Sequence, residues 1–269
     1  LHYNDKIGSD FRYHVGFTLA SSENRVVFRD DPVNGPNHLK EAGKPIGHQN
    51  RYLAVGNYET IDDVFNNAQT GSINSVAPGQ VVPGDFIYID FDSNGILNGQ
   101  DKVAVDELNY PLHTYGLNLG FDWKGLSFSA MFYAPTGVYK LVNSVYSASF
   151  KSGKINAQPD VMNAWTPETA NTSGVRAPAL HLTNDGAFNG TESTYRYQNF
   201  SYLRLKTMEL GYNLPKKWLK TVGLKSLQVY VTGNNLLTWW GGDDRIDPEG
   251  EQAKYPILRS FTSGVRVSF

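Results

Sequence analysis

Cysteine is absent from the 269 residues, which excludes disulfide scaffolds and thiolate metal sites together. Long hydrophobic runs are missing as well: no stretch approaches the roughly 18 apolar residues that a membrane helix needs. Charge is sparse and balanced, with 24 Lys and Arg against 26 Asp and Glu for a net charge of -2, so the chain carries no basic footprint for nucleic acid. Catalytic signatures are lacking too. His2, His14, His38, His48, His113 and His181 are scattered, and there is no H-E-x-x-H, G-x-S-x-G or Gly-rich phosphate loop. The carboxylate pair Asp243-Asp244 sits in a loop and reads as solvated or partner-facing. The expectation is a protein that is not an enzyme.

What the chain has in quantity is Tyr (16), Phe (14), Trp (5) and Gly (26), too much aromatic surface for disorder. Helical periodicity is almost absent, which leaves a β-rich protein, either soluble or in an outer membrane. The opening Leu1-His2-Tyr3-Asn4-Asp5 is neither a start methionine nor a signal peptide, as expected of a mature or truncated piece.

Strict alternation is the dominant signal. Phe11, Tyr13, Val15, Phe17 and Leu19 alternate with Arg12, His14, Gly16, Thr18 and Ala20. The pattern returns from His113 to Trp123 and, after a tight turn at Lys124-Gly125, at Leu126, Phe128, Ala130 and Phe132, so these two segments predict a hairpin. Leu227, Val229 and Val231 alternate with Gln228, Tyr230 and Thr232, and Phe261, Val265, Val267 and Phe269 close the chain in the same manner. Within 200–214 the phase switches, from Leu203 and Leu205 to Met208, Leu210, Tyr212 and Leu214. A bulge near Lys206-Thr207 would reconcile the phases. Alternatively, the upper part of the strand stands clear of any membrane.

Strands are predicted at 11–20, 25–31, 113–123, 126–138, 200–214, 226–239 and 257–269. Their connections sort by length: 21–24, 124–125 and 215–225 are short, whereas 32–110, 139–199 and 240–256 are long and rich in Gly, Pro and Asn. All short turns then fall at one end, which places Ser22 and Lys124 together, and all long loops at the other. That is the layout of an antiparallel transmembrane β-barrel with short periplasmic turns and long extracellular loops. The competing reading is a secreted, soluble, calcium-binding β-sandwich adhesin or glycan-binding module, whose sequons at Asn171, Asn189 and Asn199 would occupy surface loops. Seven strands cannot close a barrel alone, because two unpaired edges in lipid leave backbone groups unsatisfied. The other strands are expected from a preceding part of the polypeptide.

One motif carries metal chemistry. Asp90-Phe91-Asp92-Ser93-Asn94-Gly95-Ile96-Leu97-Asn98-Gly99-Gln100-Asp101 matches the calcium-loop spacing D-x-[DN]-x-[DN]-G with a carboxylate at position 12. Oxygens of Asp90, Asp92 and Asn94 converge if Gly95 allows the sharp turn. The Ile96 carbonyl adds another, Asn98 contributes directly or through water, and Asp101 closes the shell. Calcium, or magnesium, would then pin an extracellular loop without doing chemistry. A metal-free Asx-turn loop is the alternative. Trp123, Tyr133, Trp218, Trp239 and Trp240 lie near predicted strand ends, as in an interfacial girdle, or else stack on sugar rings. Tyr139, Tyr146, Trp165, Tyr195 and Tyr197 in the loops are candidate sugar or peptide contacts, with none singled out.

Six motifs occur in an order that resembles one family. Gly84-Asp85-Phe86-Ile87-Tyr88-Ile89-Asp90 running to Asp101, Tyr115-Gly116-Leu117-Asn118-Leu119-Gly120, and Ser201-Tyr202-Leu203-Arg204-Leu205-Lys206 with Leu210-Gly211-Tyr212-Asn213-Leu214-Pro215 come first. Val229-Tyr230-Val231-Thr232-Gly233-Asn234-Asn235-Leu236-Leu237, Asp247-Pro248-Glu249 and Gly264-Val265-Arg266-Val267-Ser268-Phe269 follow. Together they resemble the C-terminal part of SusC/RagA-like TonB-dependent transporters of the Bacteroidetes outer membrane. Residues 57–80 match poorly. The resemblance implies that residues 1–269 are the C-terminal seven or so strands of a barrel of about 22 strands with a plugged lumen. It also implies import of a small oligosaccharide or peptide across a Gram-negative outer membrane. The implied partners are the upstream plug and strands, TonB acting through that missing N-terminal part, membrane lipid, and a SusD-like surface lipoprotein as lid.

Overall fold

The computed structural model describes residues 1–66, 81–105, 107–142, 156–157, 159–170, 178–181, 189–250, 252 and 254–269, with the backbone alone at Asp160 and Val222. In chain order its strands are β1 (His2–Ile7), β2 (Phe11–Ser21), β3 (Gln49–Arg51), β4 (Ala54–Asn57), β5 (Phe86–Tyr88), β6 (Val103–Val105) and β7 (His113–Trp123). Then come β8 (Leu126–Thr136), β9 (Tyr139–Leu141), β10 (Tyr197–Asn199), β11 (Tyr202–Asn213), β12 (Ser226–Trp240) and β13 (Ser260–Ser268). They divide between two compact units: 1–23, 109–138 and 199–269 in one, 24–108 and 139–198 in the other.

The first unit is a single antiparallel sheet in the order β1-β2-β7-β8-β11-β12-β13. Its register carries out what the alternation requires. Tyr13, Phe121, Phe128, Leu210 and Val231 stand in one cross-strand row, and Phe17, Leu117, Phe132, Leu205 and Leu237 in another. The residues between them go to the other face, where His14, Gly120, Ser129, Glu209, Thr232 and Thr262 form a polar row. A side-chain period of two sorts every residue this way, so one slip of register would invert the whole face. The apolar face is open rather than covered: Phe17, Leu19, Leu203, Leu210, Val231 and Val265 are exposed, and Phe261 keeps 70% of its surface. In a soluble β-sandwich a second sheet would bury such a face; among the described residues no second sheet does.

Short connections gather at one end of this sheet. The turn Lys124-Gly125 has φ of 47° and 90°, the two positive values of a two-residue hairpin turn that matches strand twist. Gly8–Asp10 joins β1 to β2, and 214–225 joins β11 to β12. The long connections 22–112, 137–201 and 241–259 all leave from the opposite end. The phase switch in β11 is a bulge: register shifts between Leu205 and Thr207 against both β8 and β12. Leu203 and Leu205 thereby share a face with Met208, Leu210 and Tyr212.

Two sequence expectations are corrected here. Residues 25–31 form no strand, because both edges of β2 are taken, by β1 and by β7. Val26 instead makes backbone hydrogen bonds with Gly43 and Lys44, and Asp31 accepts from the amides of Glu41 and Ala42. The seventh wall strand is β1, whose apolar content, Tyr3 opposite Val15 and Ile7 opposite Phe11, is too thin to announce it. Ser22 consequently lies at the long-loop end, where its amide donates to Leu112 O at 3.1 Å, and not beside Lys124. The strand 11–20 runs opposite to the expected direction.

The second unit is built from the long connections. It holds the two-stranded pairings β3–β6 and β4–β5, and a small core of Tyr52, Phe86, Tyr88 and Leu97. The two connections interlock there, since Thr194 N donates to Tyr52 O at 3.0 Å and Tyr52 N to Glu192 O at 3.3 Å.

Candidate metal centre and the buried charges of the connections

The loop from Asp90 to Asp101 folds on its own short-range chemistry. Ser93 (φ 58°) and Gly95 (φ 78°) turn the chain back, and backbone amides converge on the carboxylates. Asp90 accepts from Asn94 N at 3.2 Å and Gly95 N at 2.7 Å, and Asp92 accepts from Asn94 N at 3.1 Å. Asp101, 1% exposed, ends a short 3-10 helix (Gly99–Asp101). Its Oδ2 accepts from Asn98 N at 2.7 Å and its Oδ1 from Phe91 N at 2.9 Å, so it closes the loop reciprocally with the Asn98 cap.

Carboxylate oxygens of Asp90, Asp92 and Asp101 all lie within 4.8 Å of one another. Oxygens that share a calcium ion at about 2.4 Å each can be no more than about 4.8 Å apart, so the trio satisfies the outer distance limit for ligands of one cation. The other three sequence candidates are engaged within the loop. Asn94 Oδ1 accepts from Ile96 N at 2.7 Å, Ile96 O accepts from Asn98 Nδ2 at 3.2 Å, and Asn98 Oδ1 accepts from Gln100 N at 2.8 Å. An sp² oxygen has a second lone pair, so these bonds leave each able to face a cation. Desolvation works to raise the Asp90 carboxyl, but the hydrogen bonds from Gly95 and Asn94 outweigh it and hold the group below the usual carboxylate range. The ionised form that a metal requires is therefore favoured.

Three buried charge clusters escape a reading of the sequence, because their members lie far apart in the chain. In the second unit Asp85, 1% exposed, accepts from Asn189 Nδ2 at 2.7 Å and from Val82 N at 2.9 Å, and bonds His181 Nε2 at 2.6 Å. Asn189 is buried, so that sequon is not a surface acceptor. Gly84 lies beside this cluster at φ 93°, where a Cβ would meet Trp165 Cε3 at 2.4 Å and Ala179 Cβ at 2.5 Å. Arg51 pairs with Glu107 and lies 3.0 Å from the Tyr197 ring centre. In the sheet unit Arg204, 2% exposed, binds Glu249 and Asp247 at 2.7 Å each, while Lys206 pairs with Glu249. Two of the motifs noted in sequence thus meet in one network, and it ties 241–259 to β11.

The aromatic candidates separate by face. Trp123 and Trp239 are exposed on the apolar face at its two ends. Tyr133 and Trp240 stand on the opposite face, packed against Tyr202 and Phe200. Trp165 is buried, Tyr139 half-buried, Tyr195 exposed, and Tyr197 faces Arg51. Tyr146 and Asn171 lie outside the described residues, as does 67–80 of the poorly matching loop.

No family model matches the chain. Among curated proteins it is 26% identical over 282 residues to TonB-dependent receptor P3 of Formosa agariphila, covering 97% of this chain and 27% of that one. It is 31% identical over 210 residues to TonB-dependent receptor P26 of the same organism, covering 70% of this chain and 20% of that one. It is 23% identical over 283 residues to TonB-dependent receptor SusC of Bacteroides thetaiotaomicron, covering 98% and 25%. The chain spans about a quarter of the length of these relatives. Among solved structures, the RagAB peptide transporter superposes over 100% of this chain and 28% of its own, with TM-score 0.71 and 20% identity. The RagAB peptide importer in its closed-closed state gives 0.69 at 21% identity.

Proposed function

Since this chain is a barrel-wall segment of a SusC/RagA-like TonB-dependent receptor, we propose that the whole protein imports a nutrient across a Gram-negative outer membrane. The observation that carries the reading is the open apolar face of the seven-stranded sheet, continuous from β2 to β13, with every long connection at one end. Hydrocarbon is the environment in which such a face costs nothing to leave uncovered, and the sorted connections give the sheet an outside and an inside. The edges of β1 and β13 that no described strand pairs require further strands, which the rest of the receptor supplies.

The cargo in this proposal is a small oligosaccharide or peptide. TonB opens the receptor through a part outside this chain, and a surface lipoprotein of the SusD type covers the extracellular end. A structural calcium ion held by Asp90, Asp92 and Asp101, with Asn94, Ile96 and Asn98 completing its shell, pins the loop 90–101. Its role is to offset three clustered negative charges that no described lysine or arginine pairs with.

Uptake tests the reading. Cells carrying the full-length receptor are offered labelled oligosaccharide and peptide mixtures, with TonB present or deleted. TonB-dependent entry of one class is the expected result. No entry of either class, with the receptor present in the outer membrane, contradicts it.

A further inference from the structure

The connection between β11 and β12 has a composition unlike the rest of the chain. Its twelve residues, Leu214 to Lys225, hold four lysines and no carboxylate, in a chain whose overall net charge is -2. A one-turn helix (Lys216–Leu219) and a 3-10 turn (Lys220–Val222), ended by Gly223 at φ 72°, shape it. Leu219 is buried, which turns Lys216, Lys217 and Lys220 outward; these three and Lys225 are exposed. None has an ion-pair partner among the described residues. Trp218, between them, keeps 59% of its surface. The turn is held at both ends, by Leu214 N to Leu227 O at 2.9 Å and Lys225 N to Ser268 O at 2.9 Å. Both of its ends are thus tied to the sheet.

Its position decides what it faces. The turn follows β11 at the short-connection end of the apolar face, beside the row Leu227 and Val267 and next to the exposed Tyr212 and Trp123. The neighbouring short connections add no comparable charge, since Asp10 and Lys124 sit 3.9 Å apart and pair with each other. An exposed tryptophan at the border of an apolar band suits the headgroup layer, and lysines beside it reach phosphate oxygens while their stems stay against apolar surface. Clustered lysines next to a membrane-spanning element favour anionic over zwitterionic lipid. We infer that residues 214–225 form a binding site for anionic phospholipid headgroups in the periplasmic leaflet. The inference rests on the outer-membrane reading above and adds a lipid specificity to it.

Full-length receptor is reconstituted into nanodiscs of phosphatidylcholine with about a third phosphatidylglycerol, and the lipid retained after mild detergent extraction is quantified. The expected result is enrichment of phosphatidylglycerol over its bulk ratio by about threefold, lost when Lys216, Lys217, Lys220 and Lys225 are all changed to Gln and kept when all are changed to Arg. Glycerol phosphate in solution should not displace the lipid. A fluorophore at Thr221→Cys should be quenched by lipid carrying a headgroup spin label, a readout that does not depend on the glutamine variant folding. Equal enrichment with and without the lysines, displacement by glycerol phosphate, or an unquenched fluorophore overturns the inference while leaving a heat-modifiable barrel intact. The same holds if the lysines prove to cross-link a protein and not lipid. A wild-type receptor that forms no heat-modifiable barrel overturns the membrane reading and this inference with it.

Discussion

Arg204 shows what one side chain contributes here. It projects from β11 on the polar face and is almost fully enclosed, yet it meets two carboxylates of the connection that precedes β13. Removing one partner of a buried charge network strands the others, at a cost of about 3–5 kcal/mol. Arg204→Ala is therefore expected to lower the unfolding midpoint of the full-length receptor clearly and to open 241–259 to protease, with Arg204→Lys intermediate because it loses the fork geometry. Desolvation raises the Asp247 carboxyl, but the Arg204 hydrogen bond and the Glu249 amide overcome it, so the group stays below its ordinary value of 3.8. A depressed folded value means stability that is full above the unfolded value and lost as pH falls through the folded one. Protection of 241–259 from protease should thus hold through pH 5 and fail only at pH below about 3.8, whereas in Arg204→Ala it should be weak throughout. Gly84→Ala makes a separate test at this scale. A Cβ at φ 93° and 2.4 Å from Trp165 leaves no relaxed solution, so proteolysis within 81–105 should rise without loss of barrel assembly.

At the scale of elements, what the sequence revealed and what it hid have one cause. Alternation is local, so β2, β7, β8, β11, β12 and β13 were legible, while the change of phase near Lys206 left a bulge as one of two readings that only the register decides. The convergence of Asp90, Asp92 and Asp101 was legible because they lie within twelve residues and fold together through their own backbone amides. Residues 25–31 misled because Val26, Val27 and Phe28 have β propensity, but pairing is decided by free edges, and β2 had none left. The contacts of Asp85 with His181 and Asn189 join positions about a hundred residues apart, and no local pattern encodes them. Two outcomes follow. Deleting Lys206 should slip the register of β11, turn Leu203 and Leu205 inward, and abolish assembly in the outer membrane, whereas Lys206→Ala should assemble. Changing Asp90 and Asp92 together to Ala should remove one bound calcium per receptor, read by metal analysis after dialysis, and increase protease cutting in 85–105. Unchanged metal content would refute the assignment of these ligands.

Across the whole molecule, the span between the two aromatic rows of the apolar face suits a bilayer core when the strands take the tilt usual in outer-membrane walls. Ten residues separate Val229 in the lower aromatic row from Trp239 in the upper one, about 33 Å of strand at ~3.3 Å per residue. With the tilt of about 45° usual in such walls the rise is about 23 Å, close to the ~25 Å apolar band of outer-membrane barrels. Exposed aromatics mark both limits, Trp123 and Tyr212 below and Trp239 above. Under the proposed import function the same geometry assigns residues to the two sides of the membrane, and that assignment is the most direct test. Single cysteines placed at Ser22, Asp92, Lys124 and Thr221 in the full-length receptor are probed on intact cells with a membrane-impermeant thiol reagent. Labelling at Ser22→Cys and Asp92→Cys, with Lys124→Cys and Thr221→Cys reacting only after the outer membrane is permeabilised, is the expected result. Labelling of Lys124→Cys or Thr221→Cys on intact cells would contradict it.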